Sequence, residues 1–359
     1  MEHKDTVTPR QLAAAGFVSV LAPYIRRFPR LPAALAGGSA WCAVPMAALL
    51  CVPVLLGAWR LFRRHAGLSE ALCAVWGAFP GRVLQLCYAL WLLCYAGFLL
   101  RSGAERFLST VYPGAHPAVF VLGMALLCIP AAAGSLRAVC RSAMLFYPLL
   151  AGLLVLVGLL SVGDFDLSLL ALPGRDTLAA NGFAALETVN VLSVAGYLSF
   201  FGDRVQARFR RRDVLPGLAG LLAAAAEMTV CCIAVFGPAL TGSMTFPFFL
   251  LTRELSALGS LERMEPPVIA LWVLSDFVLI SLLLKLVREL GEAALALPEG
   301  RPLRSLPLAA AAALLALAIP GDAAAFARLS ELLVPAANAV MALGIPALTL
   351  LVGLLLRRV

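Results

Sequence analysis

One feature recurs along the whole chain: runs of roughly 20 mostly apolar residues, the length a helix needs to cross the hydrocarbon of a bilayer, separated by short polar links. The runs lie at about 11–25, 40–59, 83–100, 117–133, 143–162, 180–201, 214–240, 267–287, 305–320 and 332–356. With 62% hydrophobic and only 13% charged residues, and a mean hydropathy of +0.95, a soluble domain could not bury so much apolar surface. A bundle immersed in lipid does not have to. Aromatic residues are only 8%, so the excess is Leu, Ala and Val, the usual filling of lipid-facing helices. The expected fold class is an all-α integral membrane protein with about ten transmembrane helices, forming a single transmembrane domain over residues 1–359.

The formal charge of +8 does not point to nucleic acid, because the basic residues sit in short clusters between apolar runs. With the N-terminus on the cytoplasmic side, the cytoplasmic segments hold Lys4 and Arg10, then Arg60, Arg63, Arg64 and Arg82, then Arg137 and Arg141. They go on to hold Arg204 and the run Arg208–Arg212, then Lys285, Arg288, Arg301 and Arg304, and finally Arg357 and Arg358. The opposite links hold Arg26, Arg27, Arg30, Arg101, Arg106, Arg175, Arg253, Arg263 and Arg328. Most of the 28 Lys and Arg residues thus fall on one side, and both termini are expected in the cytoplasm of an inner-membrane protein. The run Arg208–Arg212 is the strongest anchor, suited to anionic lipid. The first apolar stretch merges into the first span, as expected of a chain without a cleaved signal peptide.

Ten spans divide into a first repeat at about 11–162 and a second at about 180–356. Helix 1 carries Pro23, and helix 6 carries Gly196 followed by Gly202. Breakers at matching places in two halves point to discontinuous helices around a midplane site, as in inverted-repeat transporters. The link 241–266 is longer and amphipathic, and suits short surface helices.

Ionisable groups inside a span are costly, and each is a functional candidate. Three acids qualify: Glu187, Glu227 and Asp276. Glu187 and Asn190 are three apart and share a helix face, which with Thr188 is the most polar patch in any span. This face is expected to line a substrate or ion pathway, against the plainer alternative of an interhelical hydrogen bond. Glu227 follows four alanines suited to close packing, and Asp276 could meet Lys285 only across a broken helix. Tyr88 and Tyr95, seven apart in helix 3, and Asn338 in helix 10 are further candidates for ligand contact or for packing. The nine cysteines form no CxxC pair, and those inside the spans, Cys87 and Cys94 included, read as small buried hydrophobes. No hydrolase, phosphate-loop or dinucleotide motif is present, and the three histidines do not converge. The chain is therefore not expected to be an enzyme or to need a cofactor or metal.

Several segments together carry a resemblance. Thr8-Pro9-Arg10-Gln11 precedes helix 1, Leu100-Arg101 with Glu105-Arg106 follows helix 3, and Gly134 through Arg141 opens helix 5. Asp166 with Leu169-Leu170-Ala171-Leu172-Pro173 precedes helix 6. Phe246-Pro247, Arg253-Glu254, Glu262-Arg263 and Trp272 follow in order. In this co-linear pattern the chain resembles the permease-like B subunits of spore nutrient-germinant receptors, within the amino acid–polyamine–organocation superfamily.

The resemblance implies a five-plus-five inverted repeat with broken helices 1 and 6. It implies sensing of a small nutrient, commonly an amino acid, in the inner membrane of a spore, and assembly with a larger membrane subunit and a lipoprotein. The family's ligand region transfers to Leu21, Ala22, Pro23 and Tyr24 in helix 1 and to Glu187, Asn190, Gly196 and Tyr197 in helix 6. Helices 3 and 8 contribute, and Tyr95 and Asp276 are the candidates there. One departure stands out: such proteins usually carry glycines where helix 1 unwinds, whereas this chain has Val20-Leu21-Ala22-Pro23-Tyr24. A working secondary transporter and a non-binding structural subunit are the alternative readings.

Overall fold

The computed structural model describes residues 5–206, 211–255, 265–298 and 300–358. Every regular element among them is helical, and Val7 and Val205 add one isolated parallel bridge. The chain runs through α1 (Pro9–Arg27), α2 (Arg30–Ala36), α3 (Ala43–Arg64), α4 (Leu68–Trp76), α5 (Ala78–Thr110), α6 (Pro117–Ala133) and α7 (Leu136–Ser161). It continues through α8 (Arg175–Leu192), a 3₁₀ segment (Ser193–Arg204), α9 (Arg211–Phe236), α10 (Pro238–Ser243), α11 (Pro247–Glu254) and α12 (Glu265–Ala294). After α13 (Ser305–Ala318), a last helical stretch joins α14 (Ala323–Arg328), α15 (Val334–Asn338) and α16 (Ile345–Leu355) through two π-helical turns. Seven helical stretches among the described residues are long and apolar enough to cross a membrane, and Pro117–Ala133 and Pro302–Ala318 are shorter apolar helices. The remaining apolar run of the sequence, about 11–25, is α1.

Local chemistry starts the helices where it should. The α1 N-terminus is a reciprocal capping box: Gln11 N donates to Thr8 Oγ1 (3.3 Å) while Thr8 N donates to Gln11 Oε1 (2.9 Å), with Pro9 at the first helical position. Ser135 caps α7, and Gly77, at φ 97°, makes the sharp turn from α4 into α5 that a side chain would resist. Packing then sorts the helices. α1 lies at the centre against α7, α9 and α12, and α5 packs along α12 and α13. The outer surface exposes Leu and Val side chains of α3, α6 and α7 and Leu side chains of α16, as a lipid-facing surface should.

The two chain ends lie at one end of the bundle, called here the terminal end. Val7 N donates to Arg204 O (2.9 Å), and Arg358 Nη1 donates to Val75 O (2.9 Å).

Three expectations need correction. Arg27, Arg101 and Arg106, read as link residues, belong to α1 and α5, and Lys285 and Arg288 lie within α12. Neighbouring helices shelter these polar ends, so hydropathy does not mark where the helices stop. The interruption placed at Pro23 does not end α1, which continues to Arg27. α12 is continuous, and Asp276 is met by Arg106 of α5 rather than by Lys285. Cys87 and Cys94 are exposed rather than buried, since both sit on the outward side of α5. The link 241–266 does hold the short helices α10 and α11. Arg208, Phe209 and Arg210 of the basic run, and Glu262 and Arg263, lie outside the described residues.

Candidate functional site

Three interrupted helical stretches converge on the middle of the bundle. In α1 the interruption is chemical rather than visible as a kink. Pro23 has no N–H to return to Ser19 O. A hydroxyl from α12 engages the neighbouring rung: Ser275 Oγ accepts from Ala22 N (2.8 Å) and donates to Val18 O (2.5 Å).

Helix 6 stops as an α-helix at Leu192, where Ser193 Oγ donates to Asn190 O (2.6 Å), and tightens into the 3₁₀ segment that holds Gly196 and Tyr197. The last stretch widens instead. Its π turns at Leu329–Leu333 and Ala339–Gly344 flank α15, and such turns recur at functional sites. Its carbonyls pair with the two other walls: Asn190 Nδ2 donates to Pro335 O (3.0 Å) and Tyr88 OH to Met341 O (2.6 Å). Trp91 Nε1 donates to Tyr197 OH (2.9 Å), which donates to Asn338 Oδ1 (2.7 Å). Helices α5, 6 and the last stretch are thus stitched together by side chains around one space.

That space is a cavity of ≈ 30 Å³, enough for about one or two water molecules. Pro23 and Arg27 of α1, Tyr95, Ser102 and Arg106 of α5, Asn190 of α8, and Ser330 and Asn338 of the last stretch line it. Ion pairs surround it. Arg27 Nη2 lies 3.1 Å from Glu187 Oε2, Arg30 Nη1 lies 2.7 Å from Glu331 Oε1, and Arg106 is bonded to Asp276. Arg106 and Asp276 are 2% and 3% exposed, so this pair is buried, and the guanidinium also sits 5.7 Å from the Trp272 ring.

Toward the terminal end lies a larger cavity of ≈ 580 Å³, lined by Glu70, Gln85, Phe200, Asp203, Arg204 and Glu289 among others. Beside it the N-terminal strap is anchored. The Asp5 carboxylate accepts from Leu136 N (2.5 Å) and Arg137 N (3.0 Å) at the start of α7. It also lies 3.7 Å from Arg204 and 3.8 Å from Lys285. Lys285 Nζ donates to Gly134 O (2.7 Å), and Arg204 pairs with Glu289 (3.0 Å).

Of the residues singled out from sequence, Pro23, Tyr95, Asn190 and Asn338 line the small cavity. Glu187, Tyr197 and Asp276 each hold a lining side chain, respectively Arg27, Asn338 and Arg106. Leu21, Ala22 and Tyr24 are buried in α1 against other walls, and Gly196 is exposed on the far side of the 3₁₀ segment. Glu227 stands apart, its carboxylate against the notch at Gly158 of α7. Arg27, Arg106, Ser102 and Ser330 are lining residues that sequence reasoning passed over. The one available signal was charge inside a helix, and it was hidden by ending helix 3 at residue 100. Among the described residues no group of three or more His, Cys, Asp or Glu side chains could hold a metal.

The fold is that of known membrane transporters. MhsT in complex with L-phenylalanine superposes with a TM-score of 0.67 at 14% identity, over 96% of this chain and 88% of that one. A Na⁺-coupled sialic acid symporter in a substrate-bound outward-open state gives a TM-score of 0.63 at 13% identity, over 95% and 80%. No curated protein matches the sequence. The family described as spore germination protein matches residues 6–198, more than half of the chain, including α1, α5 and the start of the helix 6 break. The chain belongs to the spore germination protein family.

Proposed function

We propose that this protein is the permease-like membrane subunit of a spore nutrient-germinant receptor, and that the small cavity between α1, α5, α8 and the last helical stretch is where a nutrient such as an amino acid binds. The observation that carries the reading is the concentration of polar side chains around this one space, where three interrupted helices meet in an otherwise apolar bundle. Membership of the germination family and the fold shared with proteins solved with small solutes bound support it. The ligand acts by binding one arrangement of the bundle better than another, and it can shift the balance only by that difference in affinity. The signal then passes to a larger membrane subunit and a lipoprotein. On this reading the terminal end faces the cytoplasm, consistent with the basic clusters at that end.

The test is germination of spores lacking the gene on a panel of amino acids, nucleosides and sugars, with wild type and Asn190→Ala, which alters a side chain that lines the cavity, as rescue constructs. Loss of response to a subset of nutrients, restored by wild type and not by the variant, is the expected outcome. An unchanged response to every nutrient, in a strain with no second receptor, overturns it. A second reading, secondary transport of a small solute, draws on the likeness to the Na⁺-coupled symporter and on the two cavities lying toward opposite ends of the bundle. Uptake of labelled amino acids into proteoliposomes separates the two.

A further inference from the structure

The charged residues that line the small cavity are both cations, Arg27 and Arg106. Their carboxylates, Glu187 and Asp276, stand behind them on α8 and α12 and are not part of the lining. The four groups sum to zero, so the site is neutral while it shows guanidinium N–H groups to the interior. One further wall group is specific. Asn190 has its Nδ2 committed to Pro335 O, while its buried Oδ1 has no hydrogen-bond partner among the described residues. The cavity therefore offers N–H donors on one wall and a waiting acceptor on another.

Helix 1 does not compete for an anion here. Ala22 N already donates to Ser275 Oγ, and Pro23 brings no donor.

We infer that Arg106 is the specificity-determining residue of the proposed nutrient site: it takes the carboxylate of a zwitterionic ligand whose amine N–H meets Asn190 Oδ1. The inference rests on the proposed nutrient-binding function. The argument is one of charge as well as geometry. In a site of low dielectric a zwitterion leaves the four-group cluster neutral, whereas a simple carboxylate leaves one uncompensated negative charge and an amine one positive charge. Guanidinium presents a planar fork that matches a carboxylate, so the remaining N–H groups of Arg106 can hold it without breaking the Asp276 contact. The cavity must widen to admit such a ligand, and parting of the Arg27–Glu187 pair across α1 and α8 is the change nearest to hand.

The test is equilibrium binding to the full chain in lipid nanodiscs. The probes are L-alanine, L-valine and L-phenylalanine, each beside its carboxamide, which lacks the carboxylate, and its deamino acid, which lacks the ammonium. Inosine and glucose are included. At least one amino acid is expected to bind wild type at least tenfold more tightly than either of its analogues. In Arg106→Gln/Asp276→Asn, which removes both charges together, the acid-over-amide preference is expected to fall toward one. Arg106→Lys should give an intermediate ratio. Equal binding of acid and amide by wild type overturns the inference without any variant, and so does a preference that survives in the folded double variant. If the amino acids fail while inosine or glucose binds, the nutrient-site reading stands and the zwitterion inference alone falls. If every probe fails, both fall.

Discussion

The two ends of the bundle handle charge in different ways. At the end away from the termini, ion pairs run from α1 and α2 to the facing walls, Arg27 to Glu187 and Arg30 to Glu331, and a third joins α5 to α12 through Arg106 and Asp276. These contacts flank the small cavity of ≈ 30 Å³, with Arg27 and Arg106 in its lining. At the terminal end, Asp5, Arg204, Lys285 and Glu289 form a network beside a cavity of ≈ 580 Å³ rather than over it. Similar chemistry therefore flanks a space of ≈ 30 Å³ at one end and borders one of ≈ 580 Å³ at the other. The difference lies in which elements the charges join: facing helices, or a strap and the helices beside it.

This contrast can be broken at graded cost. The largest effect is expected from Asp276→Ala, which leaves the Arg106 charge buried without its carboxylate and should destabilise the protein by about 3–5 kcal/mol. Thermal unfolding of the detergent-solubilised chain measures it, and Arg106→Gln/Asp276→Asn should recover much of the loss. Ser275→Ala comes next, because it strands Ala22 N–H and Val18 O inside the bundle, at about 1–3 kcal/mol. A result near zero would mean that α1 closes its own rung without help. Asp5→Ala should cost about 1 kcal/mol, as the loss of a helix-cap acceptor does. Its signature is local, with faster amide hydrogen exchange at Leu136 and Arg137 and none at Asn190. The smallest effect is expected from Glu187→Gln. A partly exposed ion pair contributes about 0.2–1 kcal/mol, so a thiol introduced by Val194→Cys should react only a few-fold faster with an aqueous maleimide. If labelling does not change, the Arg27–Glu187 pair does not guard that end.

Much of this architecture was legible in the sequence. The run 117–133 is α6 to the residue, and Gly196 falls within the 3₁₀ segment into which helix 6 tightens. Each follows from a local rule. Helix 3 was misjudged because its last third is polar: α5 has 33 residues and runs on to Thr110, so Arg101 and Arg106 read as a link. Nothing near Arg106 in sequence reveals the partner that makes it tolerable, since Asp276 lies 170 residues away. Ser275 was equally hidden. A serine in a span is unremarkable until α1 is laid beside it.

The π turns of the last helical stretch carry a consequence for how this gene can vary. A π turn is an α turn that has accommodated one additional residue. Deleting a single residue within Ala339–Gly344 would return that segment to regular α winding and leave α16 in its present orientation. The same deletion inside α6 would turn everything beyond it by about 100° and scramble its packing. The last helical stretch is therefore a place where natural length variants can accumulate without loss of fold. They would carry one change at the site, because the carbonyl of Met341 that receives the Tyr88 hydroxyl would return to the helix ladder.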